Sequence, residues 1–444
     1  MIVLIKIIQF VLSLSIIVII HELGHFIFAK LFKTRVEKFY LFFDPWFSLF
    51  KVKRGETEYG MGWLPLGGYV KISGMIDESM DKEQMKKPPQ PWEFRSKPTW
   101  QRLLIMVGGV LFNFILALFI YVMVLFSWGE TYLPTKNVTY GIVTDSVGLK
   151  MGFKNGDNIV SIDGEEIEDF FEIIPDVVLN EREVITVERD GKQIGIRISD
   201  EFLPLIIKGQ GKIGARIPYS FKVVDFMKES PAREAGFQIG DELIGIDGFI
   251  FEFNDQYQNY LSGLKGRDII ANINRNGDRL DIPLTTTPEG MIGIEREGLN
   301  YADYFEFRTI RYSFPESVPA GITKGFKTLK DYLKQFKIIF SKQAKGYESL
   351  GGFITIGRIF PGVWNWQAFW NLTAFLSIIL GIMNVLPIPA LDGGHLIFLL
   401  YEVVTGRKPS DKFLEYSQIT GMILLLALLL YANGNDIIKY VLNK

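Results

Sequence analysis

Two histidines with a glutamate between them lie inside an apolar stretch near the start of the chain. His21 and His25 flank Glu22 in the segment HELGH. On a helix, residues four positions apart share a face, so both imidazoles could bind one zinc ion while Glu22 stays available as a general base. The alternative is that the histidines are ordinary core or surface residues that happen to flank a glutamate.

The third histidine also belongs to a motif, and the chain contains only three. His395 ends the apolar segment LPIPALDGGH, in which Asp392 is the one acidic residue. A catalytic zinc site has three protein ligands and one open position for water. Asp392 could therefore complete a site with His21 and His25, and we expect His395 to be structural or to support a ligand.

The composition indicates a protein with both a membrane part and a soluble part. Hydrophobic residues make up 48% of the 444 residues and charged residues 22%. The formal net charge is −2, and no basic block stands out, so nothing indicates a nucleic-acid partner. The absence of cysteine excludes disulfides, thiol catalysis and cysteine-rich zinc sites, so histidines and carboxylates must hold any metal.

Four apolar stretches are predicted to be transmembrane helices. The first contains HELGH and continues into a basic flank, whereas a signal peptide would end at a small-residue cleavage site. Pro387 and Pro389 must interrupt the third helix, because proline lacks a backbone N–H. The four predicted spans are residues 1–32, 101–129, 364–400 and 414–432.

The basic residues predict which side of the membrane each loop occupies. Residues 33–100 are rich in lysine and arginine, which places this loop in the cytoplasm by the positive-inside rule. Arg407, Lys408 and Lys412 place a second loop on the same side. With four spans, both termini and residues 136–300 are then predicted to lie outside.

Within the first loop, residues 59–72 alternate glycine with large apolar residues. The pattern predicts a strand, a turn at 65–68 and a second strand. From the pattern alone, a soluble hairpin is an equally good interpretation.

Residues 136–300 differ from the rest of the chain and contain an internal repeat. SVGLKMGFKNGDNIVSIDG at 146–164 matches SPAREAGFQIGDELIGIDG at 230–248. The balanced charge and the short β-branched segments predict two β-rich domains, 136–217 and 218–300. Their Gly-Asp and Asp-Gly pairs are predicted to be turns without a chemical role.

A further amphipathic segment, residues 321–343, places large apolar residues at helical spacing with lysines opposite. The pattern predicts a helix on a membrane surface. The alternative is a helix that packs against the soluble domain.

Together, HELGH and NVLPIPALDGGH resemble the site-2 protease family of intramembrane zinc metalloproteases, in its bacterial RseP-like branch. WLPLGGYVK, WQRLLIMVGGVLFNF and ESLGGFITIGRIFP also resemble that family, so the resemblance covers nearly the whole chain. The repeats resemble bacterial PDZ domains. The resemblance implies a polytopic α-helical membrane protein of about four transmembrane helices, with a membrane-associated β element at 59–72 and two inserted β-rich PDZ domains.

For the site, the resemblance implies one Zn²⁺ per chain held by His21, His25 and Asp392, with Glu22 as the catalytic base. It also implies that the β element pairs with an extended substrate by strand addition, and that Asn384 binds a substrate peptide group. The other residues expected to contribute to substrate binding are Pro387, Pro389, Gly67 and Gly68.

The implied activity is peptide-bond hydrolysis inside transmembrane segments, as the second cut of regulated intramembrane proteolysis. The expected partners are single-span membrane proteins, such as an anti-sigma factor or remnant signal peptides, and membrane lipids. The PDZ domains would contact substrate C-termini or outer regions on the periplasmic side of a bacterial inner membrane. Two rival hypotheses are a catalytically inactive PDZ scaffold and a membrane transporter whose buried ionisable groups form an ion path.

Overall fold

The structure, a computed structural model, describes residues 1–75, 88–339 and 351–442. Parts of two predicted elements therefore lie outside the described residues: 76–87 of the first loop and 340–343 of the amphipathic segment. The chain divides into two compact units. The helical unit comprises Met1–Gly129, Arg311–Lys337 and Leu350–Lys444, and the β-rich unit comprises Glu130–Ile310 and Ile338–Ser349.

The described residues form helices and strands that we number in chain order. The helices are α1 (Ile2–Leu31), α2 (Thr99–Trp128), α3 (Ser146–Met151), α4 (Ile173–Leu179), α5 (Leu203–Ile207), α6 (Pro231–Glu234), α7 (Asn254–Ser262), α8 (Phe314–Ile339), α9 (Phe353–Arg358), α10 (Trp366–Val385), α11 (Asp392–Thr405) and α12 (Asp411–Ile437). The strands are β1 (Val36–Arg54), β2 (Thr57–Ile72), β3 (Glu130–Tyr132), β4 (Ile142–Thr144), β5 (Asn158–Ile162), β6 (Val184–Arg189), β7 (Lys192–Arg197), β8 (Ile213–Ala215), β9 (Val223–Phe226), β10 (Glu242–Ile246), β11 (Phe249–Ile250), β12 (Asp268–Arg275), β13 (Asp278–Thr285), β14 (Ile294–Arg296) and β15 (Arg308–Ile310).

Four helices of the helical unit are long and apolar enough to cross a membrane, as the sequence predicts. They are α1, α2, α10 and the segment Lys412–Leu442, which contains most of α12. Glycines let α1 and α2 approach closely: a Cβ on Gly24 would lie 2.2 Å from the carbonyl oxygen of Gly108. Any larger residue at Gly24 would force the two backbones apart, so small residues set this contact.

The predicted third span, 364–400, is interrupted, as its two prolines predict. Helix α10 ends at Val385 and α11 begins at Asp392, and the six residues between them include Pro387 and Pro389. Proline has no N–H to donate to the helix ladder, which ends the helix at this point. The break has one physical consequence for the site: Asp392 becomes the first residue of a new helix.

The sheet beside α1 differs from the predicted hairpin. Residues 57–72 do reverse direction, but the two arms do not pair with each other. Instead, residues 38–41 of β1 pair with 58–61 along one edge and with 68–71 along the other. The chain reverses direction between two strand segments as predicted, but the alternative of a hairpin whose arms pair with each other is wrong. The partner of both arms, residues 38–41, lies about 20 residues before the first arm and about 30 before the second, where local alternation gives no information on pairing.

Helix α8 begins seven residues before the predicted amphipathic segment and lies against α2. A Cβ on Gly321 would lie 2.6 Å from the backbone nitrogen of Val122, and one on Gly325 would lie 2.4 Å from Leu118. The glycine face is thus the face in contact with α2. Phe326 and Leu333 are more than half exposed, so a second apolar face remains uncovered within the described residues.

The β-rich unit has two hydrophobic cores, and each repeat of the sequence supplies one. The first core extends from Leu133 to Ile217 and also takes in Phe305. The second extends from Phe221 to Ile294. The main sheet of the first has the order β5-β6-β7, and that of the second has the order β11-β10-β12-β13.

The same buried ion pair occurs in both copies. Arg189 donates two hydrogen bonds to Asp157, at 2.6 and 2.7 Å, and Arg275 donates two to Asp241, both at 2.7 Å. Each aspartate is 1% exposed and also accepts a backbone N–H at 2.8 Å. The Gly-Asp turns of the repeat are therefore structural elements, as predicted from their turn chemistry.

Candidate metal centre

Three electron-pair donors meet at one point of the helical unit. The Nε2 atoms of His21 and His25 lie 3.3 Å apart, and each lies 3.2 Å from Oδ2 of Asp392. The three side chains are the metal-capable group found among the described residues. Two imidazoles and one carboxylate are the donor set of a catalytic zinc site with an open position.

Two elements bring these donors together. Within α1, His21 and His25 are one turn apart, and their rings meet edge to face with centroids 4.8 Å apart. Asp392 arrives from the start of α11, directly after the helix break. The backbone of Ala390 in that break has φ of 83°, and its N–H donates to Gln418 of α12 at 3.1 Å. The fourth transmembrane segment therefore holds the loop that presents Asp392.

Three observations indicate that these residues can hold a metal ion. Nδ1 of His25 donates to the carbonyl oxygen of Ile105 at 2.8 Å, which leaves the lone pair on Nε2 facing the other donors. Oδ2 of Asp392 is buried and accepts no hydrogen bond from the described residues. Gly109 leaves room beside the rings, since a Cβ there would lie 2.3 Å from Nε2 of His25. Buried oxygen and nitrogen lone pairs that face one another are costly unless a cation joins them.

Glu22 is placed beside this group and remains outside it. Its carboxylate lies near the backbone of Val70 in β2. The same strand passes close to α1 at Gly68, where a Cβ would lie 2.7 Å from Val18 and 3.4 Å from Cγ of Glu22. The close passage requires glycine, and it puts the edge residues 68–72 next to the predicted base.

Among the predicted substrate-binding residues, Asn384 and Gly68 lie at the centre. Nδ2 of Asn384 is 3.3 Å from Nε2 of His21, and the residue is 9% exposed. Gly67, with φ of 150°, lies against the ring of Phe43. The two prolines lie in the helix break, Pro387 exposed and Pro389 half-buried.

His395 is not part of the metal-capable group found among the described residues. It lines a surface cavity of about 130 Å³ together with Arg102 and Glu402, which form a buried ion pair at 2.6 Å. This position is compatible with the structural role expected of it.

Sequence reasoning missed several residues that support the donors. The Ile105 carbonyl acts through the backbone, so its residue type carries no signal. Asn113 is the one strongly polar residue between Leu103 and Gly129, and its amide lies 3.2 Å from Nδ1 of His21. A polar side chain in an apolar helix was the available signal, although it equally predicts a helix-packing contact. Gln418 has the same kind of signal in the last span.

Known proteins of similar sequence include zinc metalloproteases. A profile of peptidase family M50 matches residues 9–428. A protein of Neisseria meningitidis named as a zinc metalloprotease is 30% identical, over 97% of this chain and 98% of its own. The regulator of sigma E protease of Haemophilus influenzae is 29% identical, over 97% of this chain and 98% of its own. The metalloprotease MmpA of Caulobacter vibrioides is 27% identical, over 98% and 96%.

Proposed function

The chain belongs to peptidase family M50, the site-2 proteases, and is a zinc metalloprotease that acts in the membrane; from this premise we propose which bonds it cleaves. The substrates are membrane-spanning segments of other membrane proteins. One observation carries the proposal: His21 and His25, which are 8% and 6% exposed, lie inside α1, a helix apolar and long enough to cross a membrane. A peptide bond must enter the bilayer to reach them.

Each side chain of the site has a distinct task in this proposal. His21, His25 and Asp392 hold one Zn²⁺ per chain, and the ion supplies Lewis-acid chemistry that makes water a nucleophile at neutral pH. Glu22, free of the donor set, accepts the proton of the attacking water and returns it to the leaving amine.

The substrate must be extended to be cut, because a helix shields its own amides. Residues 68–71 pair on one edge only, with 38–41, within the part of the chain that the structure describes. We propose that the substrate strand adds to the other edge, beside Glu22. Asn384 then binds a peptide group next to the scissile bond, while Pro387 and Pro389 keep the neighbouring backbone out of a helix.

We further propose that the β-rich unit consists of two PDZ domains and controls access to the site. Its support is the repeated core with the repeated ion pair, and the fact that all three histidines lie in the helical unit. The unit would lie on the periplasmic side of a bacterial inner membrane, opposite the basic loop 33–100. It would contact the C-termini or outer regions of substrates and would exclude those with bulky outer domains.

Such a filter implies a place in a sequence of cuts. Another protease must first remove the outer domain, and this chain then makes the second cut. Single-span proteins trimmed on the outside, such as an anti-sigma factor, and remnant signal peptides are the substrate classes that we propose. The name of the Haemophilus relative, regulator of sigma E protease, supports the first class.

A model substrate tests the proposal. We expect the purified chain, in detergent or vesicles, to cleave a single-span protein whose outer domain has been removed. Mass spectrometry should place the cut within the apolar span. Chelator should stop cleavage, and added zinc should restore it. Cleavage confined to the water-exposed parts of the substrate would contradict intramembrane proteolysis.

A further inference from the structure

The two histidines of the site differ in what holds the far side of each ring. Nδ1 of His25 faces a backbone carbonyl, that of Ile105, at 2.8 Å. A carbonyl only accepts, so Nδ1 of His25 must carry the ring hydrogen, and Nε2 keeps its lone pair. The metal-binding tautomer of His25 is therefore fixed by the backbone of α2.

His21 has an amide in the equivalent place. Nδ1 of His21 lies 3.2 Å from the side-chain amide of Asn113, which is fully buried. An amide can donate through nitrogen or accept through oxygen. The tautomer of His21 therefore depends on which atom of the Asn113 amide faces the ring.

The amide orientation with nitrogen facing the ring leaves two faults. Nδ1 would then accept, and the ring hydrogen would sit on Nε2, the atom that faces the other donors. In addition, Oδ1 of Asn113 is buried with no hydrogen-bond partner among the described residues. A buried amide oxygen without a partner is destabilising.

Exchange of the oxygen and nitrogen positions removes the first fault and gives Oδ1 a partner in His21, while the amide nitrogen takes the buried position that the oxygen leaves. The two atoms of an asparagine amide are assigned from the hydrogen-bond network, because their heavy-atom positions are almost the same. With Oδ1 towards His21, the oxygen accepts from Nδ1–H, and Nε2 keeps its lone pair for the metal. We propose that Asn113 is a positioning residue that selects the metal-binding tautomer of His21 through its side-chain oxygen.

A hydrogen bond from the neighbouring helix holds the backbone of Asn113 in place. Its backbone oxygen accepts from the hydroxyl of Ser377 at 2.8 Å, which ties α2 to α10. The proposal rests on the zinc site described above. The proposal gives Asn113 a direct hydrogen bond to His21, a metal-binding side chain. A residue that only packs two helices together would affect the metal solely through the stability of the fold.

Zinc affinity distinguishes these two roles of Asn113, and it can be measured without turnover. We expect Asn113→Leu, which keeps the volume and removes the acceptor, to weaken zinc binding about 10–100-fold, the usual cost of losing a hydrogen bond to a metal-bound histidine. Asn113→Asp retains an acceptor and should bind zinc at least as well as the natural chain. Ser377→Ala, the matched control, removes a contact of the same residue at the backbone and should leave zinc affinity unchanged.

The measurement is chelator competition on the full-length chain in detergent. Since the chain has three histidines, ¹⁵N solid-state NMR of histidine-labelled protein can report each ring. In the zinc-loaded natural chain, we expect His21 to be protonated at Nδ1 and bound through Nε2. This spectrum tests the proposal even if Asn113→Leu does not fold.

Three results would overturn the proposal: unchanged zinc affinity in Asn113→Leu, weakened affinity in Asn113→Asp, or His21 bound through Nδ1. A natural chain that binds no zinc would instead contradict the zinc site itself. The two failures are therefore distinguishable.

Discussion

Buried charge is treated in opposite ways in the two units. In the β-rich unit, Asp157 and Asp241 are each held by an arginine through two hydrogen bonds and by a backbone N–H. In the helical unit, the carboxylate of Asp392 faces two imidazole nitrogens, and its Oδ2 accepts no hydrogen bond from the described residues.

The hydrogen bonds that a carboxylate accepts therefore show whether it stabilises the fold or is available to bind a ligand. A carboxylate whose two oxygens both accept hydrogen bonds from the protein stabilises one fold and is not poised for a ligand. A carboxylate whose lone pair points at other lone pairs needs a cation between them. The four predictions below test whether this distinction holds, beginning with the largest expected effect.

Glu22→Gln should abolish cleavage while leaving zinc in place. The amide cannot accept the proton of water, and loss of a general base costs about 10²–10⁴ in rate. Cleavage of a single-span substrate and zinc content should be measured on the same preparation. Turnover at the natural rate would remove Glu22 as the base, and loss of zinc would show that Glu22 is itself a ligand.

Asp241→Ala should destabilise the β-rich unit by about 1–3 kcal/mol without reducing zinc binding, because the N–H of Gln238 and the side chain of Arg275 lose the buried acceptor of their hydrogen bonds. Hydrogen exchange measured by mass spectrometry should show faster exchange across β10 and β12. Asp278→Ala changes an exposed aspartate in the same unit and is the matched control. Equal protection in the two variants would mean that the buried pair contributes no stability.

The same pair predicts a loss of stability in acid. Burial acts to raise the pKa of Asp241, but hydrogen bonds from Arg275 and the N–H of Gln238 hold it below its ordinary value of 3.8. Since the folded pKa is the lower one, its contribution is complete well above pH 3.8 and is lost as the pH falls through the folded pKa. The protection factors of the β10 amides, which correct for the pH dependence of intrinsic exchange, should therefore fall below about pH 4. In Asp241→Asn the dependence on this group should vanish; an unchanged acid profile in that variant would assign the effect elsewhere.

Deletion of residues 138–300 should have the smallest effect on the metal and a selective effect on substrates. We expect natural zinc content, because every donor lies in the helical unit. We also expect cleavage of a substrate whose outer domain is intact, which the natural chain should refuse. If the deleted chain cuts the trimmed substrate and still refuses the untrimmed one, the filter lies elsewhere.

The sequence predicted the features that depend on local spacing. HELGH and LDGGH predicted three donors that the structure brings together, because each motif is short and lies within one element or at its start. The four apolar stretches predicted four candidate spans, and the turn residues of the repeat predicted its two β-rich parts.

Features that depend on distant partners could not be predicted in this way. No local pattern shows that residues 38–41 separate the two arms of 57–72. The support given to His25 by the Ile105 carbonyl depends on helix packing, and the backbone oxygen is the same for every residue type. The space at Gly109 is likewise visible only once α1 and α2 are side by side.

Zinc content of two aspartate variants tests the central claim most directly. Asp392→Asn and Asp241→Asn make the same chemical change, one at the lone-pair cluster and one at the satisfied ion pair. We predict about one zinc per natural chain and per Asp241→Asn chain, and almost none for Asp392→Asn, because a catalytic zinc site loses one of its three protein ligands. His395→Ala should retain the metal as well. Full zinc content in Asp392→Asn, or loss of zinc in His395→Ala with Asp392 intact, would contradict the assignment of the third ligand.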